Sequence, residues 1–421
     1  MFKELMLVPK PIFNKNKEAK GYFLSYQVGN ALIEAGKSHL FENSTASPFF
    51  DFLNEIGLEA LTGNNLIFVP VTNVLLATDI ERSCSVDPSL VALLLGGQIT
   101  LSEANLQRVA RFKGLGFKVA FRHYTDYKLL EPFFPYTDYI FTGNETSDIM
   151  SALGSIKASG CPIKVIVSNV DSTSDFDRVA AFNAELFRGE FYAETTKINK
   201  NNPVSPLKTN YLQMLNQINQ DDFDLDKFAK IVQRDTALAV QFLKMVNSSS
   251  IRSNKITSLT HAAALLGQKE IKKWGTTAVT SSLAQESPGE IVRLSMLRAK
   301  FCENIAGLFE MGVHKDNLFL MGLFSVLDVI LDMTMEKALH LVYVPDKVRE
   351  ALMGEENDFS KVFRFIRLYE DGDWTEVSRI ALVDKMSISA IAEAYHDALS
   401  WYGKLINMSD EDEYLVGEDA P

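Results

Sequence analysis

Up to about residue 200, short apolar runs alternate with amphipathic segments. Leu5–Val8 and Tyr22–Val28 flank the polar run Asn14-Lys15-Asn16-Lys17, the pattern of a β-hairpin. Further strand-like runs are Leu66–Val71, Leu90–Leu95, Lys118–Phe121, Tyr139–Thr142, Ile163–Val167 and Glu190–Ala193. Between them lie helical patterns. Ser102–Lys113 opens on a Ser cap and spaces Leu106, Val109, Ala110 and Lys113 by three and four. Thr146–Ser159 and Ser174–Leu186 behave likewise, and Gly114, Gly116 and Gly160 punctuate helix ends. Strands that are apolar throughout, separated by helices, predict a parallel sheet covered on its outer side by helices. The pattern allows an open sheet or a closed α/β barrel, and the number of units favours the barrel.

A polar break follows, Asn199-Lys200-Asn201-Asn202-Pro203-Val204-Ser205-Pro206. Its two prolines favour an extended linker. Beyond it the rhythm is helical. Apolar residues recur at three and four in Tyr211–Gln220, Leu225–Gln233, Ala237–Asn247, Ser258–Leu266, Lys269–Ser282, Ile291–Met311, Asp316–Leu331, Glu336–Leu341, Phe359–Tyr369 and Ile388–Ile406. The expected organisation is therefore α/β plus all-α. Residues 1–200 form the barrel, 201–408 a helical domain, and 409–421 an acidic tail with too few apolar residues to fold alone.

Composition narrows the function classes. With 421 residues, 47% hydrophobic and 23% charged, the chain is an ordinary globular one. The formal net charge of −12 gives no broad basic footprint, so no nucleic-acid partner is expected. Six of the acids behind that charge are Asp410, Glu411, Asp412, Glu413, Glu418 and Asp419, which leaves the folded body mildly acidic. Cys84, Cys161 and Cys302 are far apart and form no metal-ligand spacing. Met1–Phe13 does not read as a signal peptide, and runs such as Leu90–Leu95 are too short to span a bilayer. A cytoplasmic protein without a membrane partner is expected.

Catalytic groups of an α/β barrel stand at the C-terminal ends of its strands. Those ends read Tyr26-Gln27, Pro70-Val71-Thr72, Gly96-Gly97, Arg122-His123, Thr142-Gly143, Ser168-Asn169 and Arg188-Gly189. Metal-assisted phosphodiester hydrolysis needs several converging oxygen ligands and a base. These positions are almost free of acids, with Asp171 a little beyond one strand, and Arg122 and His123 bring positive charge instead. No catalytic, cofactor-binding or metal-ligating residue is assigned, and no cofactor is expected.

The first half resembles an EAL domain, the bacterial cyclic-di-GMP phosphodiesterase barrel. Active members carry Glu-Ala-Leu-x-Arg on the first strand, where this chain has Phe23-Leu24-Ser25-Tyr26-Gln27. Pro70 stands at the place of a ligand Asn, and Ser89 to Thr100 contains no acid where a ligand Glu belongs. Arg122-His123-Tyr124-Thr125 matches Asp-Asp-Phe-Gly, and Asp138-Tyr139-Ile140-Phe141-Thr142-Gly143 matches Asp-Tyr-Ile-Lys-Ile-Asp. Val167-Ser168-Asn169-Val170-Asp171-Ser172 stands for Ala-Glu-Gly-Val-Glu-Thr, and Arg188-Gly189 for the closing Gln-Gly. The resemblance implies a degenerate barrel that lacks the family's metal and phosphate contacts.

The second half resembles an HDOD domain through Leu243-Lys244-Met245-Val246-Asn247-Ser248, Ile256 to Gly267 and Lys272-Lys273-Trp274. Met321 to Asp328 and Tyr369-Glu370-Asp371-Gly372-Asp373-Trp374 look like the variant found in two-domain EAL–HDOD signalling proteins. Together these imply a non-enzymatic bacterial signal-transduction regulator. It would act through signalling-protein partners, near cyclic-di-GMP-controlled motility or biofilm formation, with cyclic-di-GMP binding itself doubtful. The alternatives are a phosphodiesterase with a rearranged site and a non-hydrolysing cyclic-di-GMP sensor.

The remaining chemistry-bearing residues have plainer readings. His396-Asp397 reads as a solvated helix pair, and His123, His261, His314 and His340 as structural. Trp274, Trp374 and Trp401 lie at helical spacing among apolar residues and read as core. The Lys269–Lys273 cluster reads as a solvated face and the tail as a solvating end.

Overall fold

The computed structural model describes residues 3–35, 48–97, 99–122, 124, 126–182, 184–194, 205–220, 223–224, 228, 232, 236–249, 259–285 and 287–411. They form two compact units, residues 1–194 with 368–393, and residues 195–367 with 394–421. Most of the Asn199–Pro206 break, His123, most of the Leu225–Gln233 pattern, the start of the Ile256–Gly267 run and tail residues 412–421 lie outside the described residues.

The first unit holds a closed barrel of eight strands, paired in sequence order. These are β1 (Leu5–Phe13), β2 (Ala19–Val28), β3 (Leu66–Val71), β4 (Val91–Leu95), β5 (Lys118–Phe121), β6 (Tyr139–Thr142), β7 (Lys164–Val167) and β8 (Leu186–Arg188). β1 runs antiparallel to both β2 and β8, while the pairings from β2 round to β8 are parallel. The barrel interior is solid. Ile12, Phe23, Phe68, Ala92, Leu94, Ala120, Phe141 and Ile166 form one buried cluster, as the apolar runs require of strands covered on both faces.

Local chemistry sets the helix boundaries. The Ser102 hydroxyl accepts the Asn105 amide at 3.3 Å to start Glu103–Gly114, and Ser172 accepts the Asp175 amide at 3.0 Å to start Thr173–Ala180. Gly160 ends Thr146–Ser159 at φ 68°, a backbone conformation that glycine adopts without strain. Between β5 and β6 the chain forms a 3₁₀ stretch, Tyr127–Tyr136, because Pro132 and Pro135 lie inside it.

Two sequence expectations need correction here. Glu190–Ala193 is not the last strand; Phe191–Ala193 is a short 3₁₀ turn, and Leu186–Arg188 closes the barrel. The apolar character of Phe191 and Tyr192 has another source, since both pack on the Phe13 ring at 5.4 and 4.7 Å. The expected Ser174–Leu186 helix accordingly stops at Ala180.

Residues 368–393, which the reading by sequence puts in the helical half, pack on the β1–β2 hairpin. β8 has three residues and pairs with Ile12 and Phe13, so the earlier part of β1 runs past it. There the Leu7 amide donates to the Tyr369 hydroxyl at 3.2 Å, and Lys10 donates to the Asp371 carbonyl at 2.9 Å. Trp374 donates its indole N–H to Ser25 Oγ at 3.1 Å. A protein hydroxyl thus satisfies a strand amide that would otherwise be exposed at an edge.

The second unit is helical. Its principal helices are Pro206–Asn219, Thr236–Ser249, Leu259–Leu283, Gly289–Ile305, Lys315–Phe324 and Asp346–Leu352. Gly267, at φ 77°, breaks Leu259–Leu283 into the two helices that its pattern predicts. Gly322 allows Lys315–Phe324 to lie against Gly289–Ile305, because a Cβ there would fall 2.5 Å from the Ala299 nitrogen. Ser295 then donates to the Leu323 carbonyl at 2.6 Å. No helix among the described residues is long and apolar enough to cross a membrane.

Candidate functional site at the barrel mouth

The C-terminal strand ends surround a cavity of about 430 Å³, within the size range of small-molecule sites. Phe23 and Phe141 form its floor, their rings 6.2 Å apart, continuous with the barrel core. Arg122, from the end of β5, and Arg188, from β8, both lie over Phe23, with guanidinium carbons 5.2 and 4.6 Å from the ring centroid. Thr142, Gly143, Ser168 and Asn169 line the wall from the ends of β6 and β7. Tyr124, Tyr127, Asp148 and Ser151 complete it from the following loop and helix.

The backbone geometry of the mouth is tightly specified. A Cβ on Gly189 would fall 2.0 Å from the Val170 carbonyl oxygen, so the loops after β7 and β8 can meet only over a glycine. The Val170 amide donates to the Arg188 carbonyl at 3.1 Å, and the Phe191 amide to the Val170 carbonyl at 3.2 Å. Asn169 sits at φ 59°, with its carbonyl accepting the Asn144 side-chain amide at 2.8 Å. Retention of Gly in the Arg188-Gly189 pair therefore has a packing cause.

The electrostatics are cationic. Burial lowers the Arg188 pKa, and repulsion by Arg122 lowers it further, with Asp171 and Glu190 opposing from the other side. Burial also lowers that of Arg122. Neither guanidinium has an ion pair or hydrogen bond among the described residues, and the Nε of each is buried without a partner. Tyr127 is pushed up to about 12 by burial and by Asp148, so its phenol stays protonated at neutral pH. A second cavity of about 310 Å³ shares Arg188 and Asn169 and carries mixed charge from Lys10, Asp171, Glu190 and Asp371.

A divalent cation, which the EAL resemblance implies for an active barrel, does not fit this mouth. Two partly desolvated guanidiniums line it, and Asp148 is the one acid on its wall among the described residues. Among the described residues no group of three or more His, Cys, Asp or Glu is gathered where it could hold a metal. Asp138, the recognisable acid of the Asp138–Gly143 stretch, has a structural task. It pairs with Lys113 and accepts the Val119 amide at 2.9 Å at the start of β6.

Of the strand-end residues that the sequence predicts, Arg122, Thr142, Gly143, Ser168, Asn169 and Arg188 line this cavity, whereas Tyr26, Gln27, Pro70, Val71, Thr72, Gly96 and Gly97 do not. The sequence does not single out Phe23 as their floor, nor Tyr127, Asp148 and Ser151, which enter from elements after the strands. The only available signal was the position of those residues just beyond β5 and β6.

Other expectations change. His396 is buried and only Asp397 is exposed, so the dyad is not a solvated pair. Lys272 and Lys273 are not a solvated face. Lys272 donates to the Asn219 and Gln220 carbonyls, and Lys273 pairs with Glu303 at 2.6 Å while covering Phe319. Trp274 is buried against Trp401, their rings 6.0 Å apart, as its spacing predicts. Trp374 belongs to the barrel unit instead. His314 and His340 are exposed, and the His261 side chain lies outside the described residues.

Comparison with known proteins agrees with this architecture. Residues 204–353 match the HDOD domain model, and the helical unit contains an HDOD domain. The chain is similar to the Bacillus subtilis (strain 168) protein YuxH, 25% identical over 408 residues, 94% of this chain and 98% of that protein. It is also similar to the cyclic di-GMP phosphodiesterase CdgJ of Vibrio cholerae, 27% identical over 245 residues, 58% of this chain and 56% of that one. Among solved structures, an EAL domain protein from Listeria monocytogenes EGD-e is 14% identical, covering 45% of this chain and 87% of that chain, with a TM-score of 0.37. The expected order, a closed α/β barrel followed by a helical HDOD region, is the one observed.

Proposed function

We propose that this protein is a non-enzymatic signal-transduction regulator in cyclic-di-GMP-linked signalling, working in the cytoplasm through protein partners. The observation that carries the reading is the pair Arg122 and Arg188, desolvated and unpaired at the strand ends where hydrolysis would require carboxylates. Similarity to a cyclic di-GMP phosphodiesterase and the presence of an HDOD domain support the pathway. Retention of the helical half's pattern favours that half as the main partner contact, and exposed apolar residues there, such as Val313 and Tyr343, are the first to replace.

The decisive experiment incubates purified full-length protein with cyclic-di-GMP and magnesium or manganese. No product above a heat-inactivated control is expected. Turnover would overturn the reading in favour of a phosphodiesterase with a rearranged site.

A further inference from the structure

We propose that the barrel mouth is a metal-independent binding site for a dianionic phosphate-type oxyanion, held between Arg122 and Arg188 above the Phe23 ring. This rests on the non-hydrolytic reading of the same mouth and goes beyond it by naming the ligand chemistry.

Three observations converge. First, both guanidiniums are partly desolvated with no ion pair or hydrogen bond among the described residues, Asp171 and Glu190 attracting Arg188 only from farther off, and each has a buried Nε with no partner. A desolvated cation is normally paired, because leaving water without a partner is unfavourable. Stacking on Phe23 offsets only part of this. An anion supplied from solution completes the site.

Second, the two cations share one ring, and Arg122 is close enough to depress Arg188. Their mutual repulsion is relieved best by a ligand carrying two negative charges on one centre. A phosphate monoester or inorganic phosphate does so, whereas each phosphate of a diester carries a single charge. Guanidiniums also present planar paired donors that match phosphate oxygens.

Third, the rest of the wall suits a compact polar group. Thr142, Ser151, Ser168 and Asn169 line the cavity together with the arginines. Asp148 stands on the same wall next to Gly143, where a Cβ would meet its carboxylate at 2.7 Å. It repels a second anionic group and so favours a ligand with its charge confined to one end.

Calorimetric titration of the full chain in EDTA tests this, with glycerol 2-phosphate, inorganic phosphate and cyclic-di-GMP as separate probes. Glycerol 2-phosphate is expected to bind with the chelator present, at least about tenfold more tightly than cyclic-di-GMP. Arg122→Gln and Arg188→Gln should each weaken it at least about tenfold, and Arg188→Lys less, with unfolding midpoints showing that the variants fold. Inorganic phosphate binding as well as the monoester supports the same site with free phosphate as its source. Absence of saturable monoester binding, a requirement for added metal, tighter binding of cyclic-di-GMP, or unchanged affinity in well-folded Gln variants would overturn the proposal. Cyclic-di-GMP hydrolysis would remove the non-hydrolytic reading, whereas failed monoester binding without hydrolysis removes this inference alone.

Discussion

Each unit holds a partly desolvated cluster of cations, and the two clusters are treated in opposite ways. In the helical unit, Lys273 and Glu303 are 13% and 11% exposed and pair at 2.6 Å, with Lys300 adding a second ammonium at 2.9 Å. Burial works to raise the Glu303 pKa, and Lys273 and Lys300 overcome it, so the carboxyl lies below its ordinary value. In the barrel, Arg122 and Arg188 share an aromatic ring and repel each other, with no carboxylate bound to either among the described residues. An internally neutralised cluster stabilises the fold it sits in, whereas an unneutralised one is held in place by the fold for another purpose. The contrast separates structural charge from binding charge without reference to any family.

The contrast can be broken most sharply at Glu303. Replacing it by Gln leaves two desolvated ammonium groups without a carboxylate, and the expected loss is about 3–5 kcal/mol. Urea unfolding followed by helical circular dichroism measures it, and an unchanged midpoint would show the cluster to be energetically idle. The pH dependence sharpens the point. Because the folded-state pKa of Glu303 is lowered from 4.5, its contribution is complete above that value and is lost as pH falls through the folded pKa. The stability gap between the wild type and Glu303→Gln should therefore be constant at neutral pH and narrow below 4.5. A gap that widens on acidification would contradict the assignment.

Close backbone approach provides the next comparison. Gly322→Ala places a Cβ 2.5 Å from Ala299 N, and Gly189→Ala one 2.0 Å from Val170 O. Neither neighbour is a flexible side chain that can swing away, so each change should cost about 1–3 kcal/mol or more. Thermal unfolding of the two variants reads this, and tolerance of alanine at Gly189 would mean that the mouth is softer than its geometry implies.

The smallest expected effect carries the opposite sign. Arg188→Met removes a half-buried charge that has no ion-pair partner among the described residues and keeps much of the side-chain volume. Stability should rise or stay within about 1 kcal/mol of the wild type. A loss comparable to that of Glu303→Gln would show that Arg188 is a structural cation after all, and would erase the distinction between the two units.

Much of this architecture is legible from residue order. β3, β5 and β6 begin and end where their apolar runs do, because a strand buried on both faces leaves an uninterrupted apolar signature. Helix Thr146–Ser159 and the break at Gly267 follow from periodicity and glycine placement. The strand-end rule also locates six mouth residues, since chain direction alone decides which end of a strand faces the mouth.

What sequence could not decide was which groups find partners. β8 escaped detection because three residues are too few to show a period, while Phe191 and Tyr192 are apolar for the sake of Phe13. The lysines at 272 and 273 look like a solvated patch until carbonyls and Glu303 meet them from distant helices. Residues 368–393 look like more of the helical half until Tyr369 takes the Leu7 amide. Apolar burial is written locally, because it depends on each residue's own transfer free energy and its period along the chain. Pairing of charges and hydrogen-bonding groups depends on distances between segments hundreds of residues apart, and only the tertiary structure sets those.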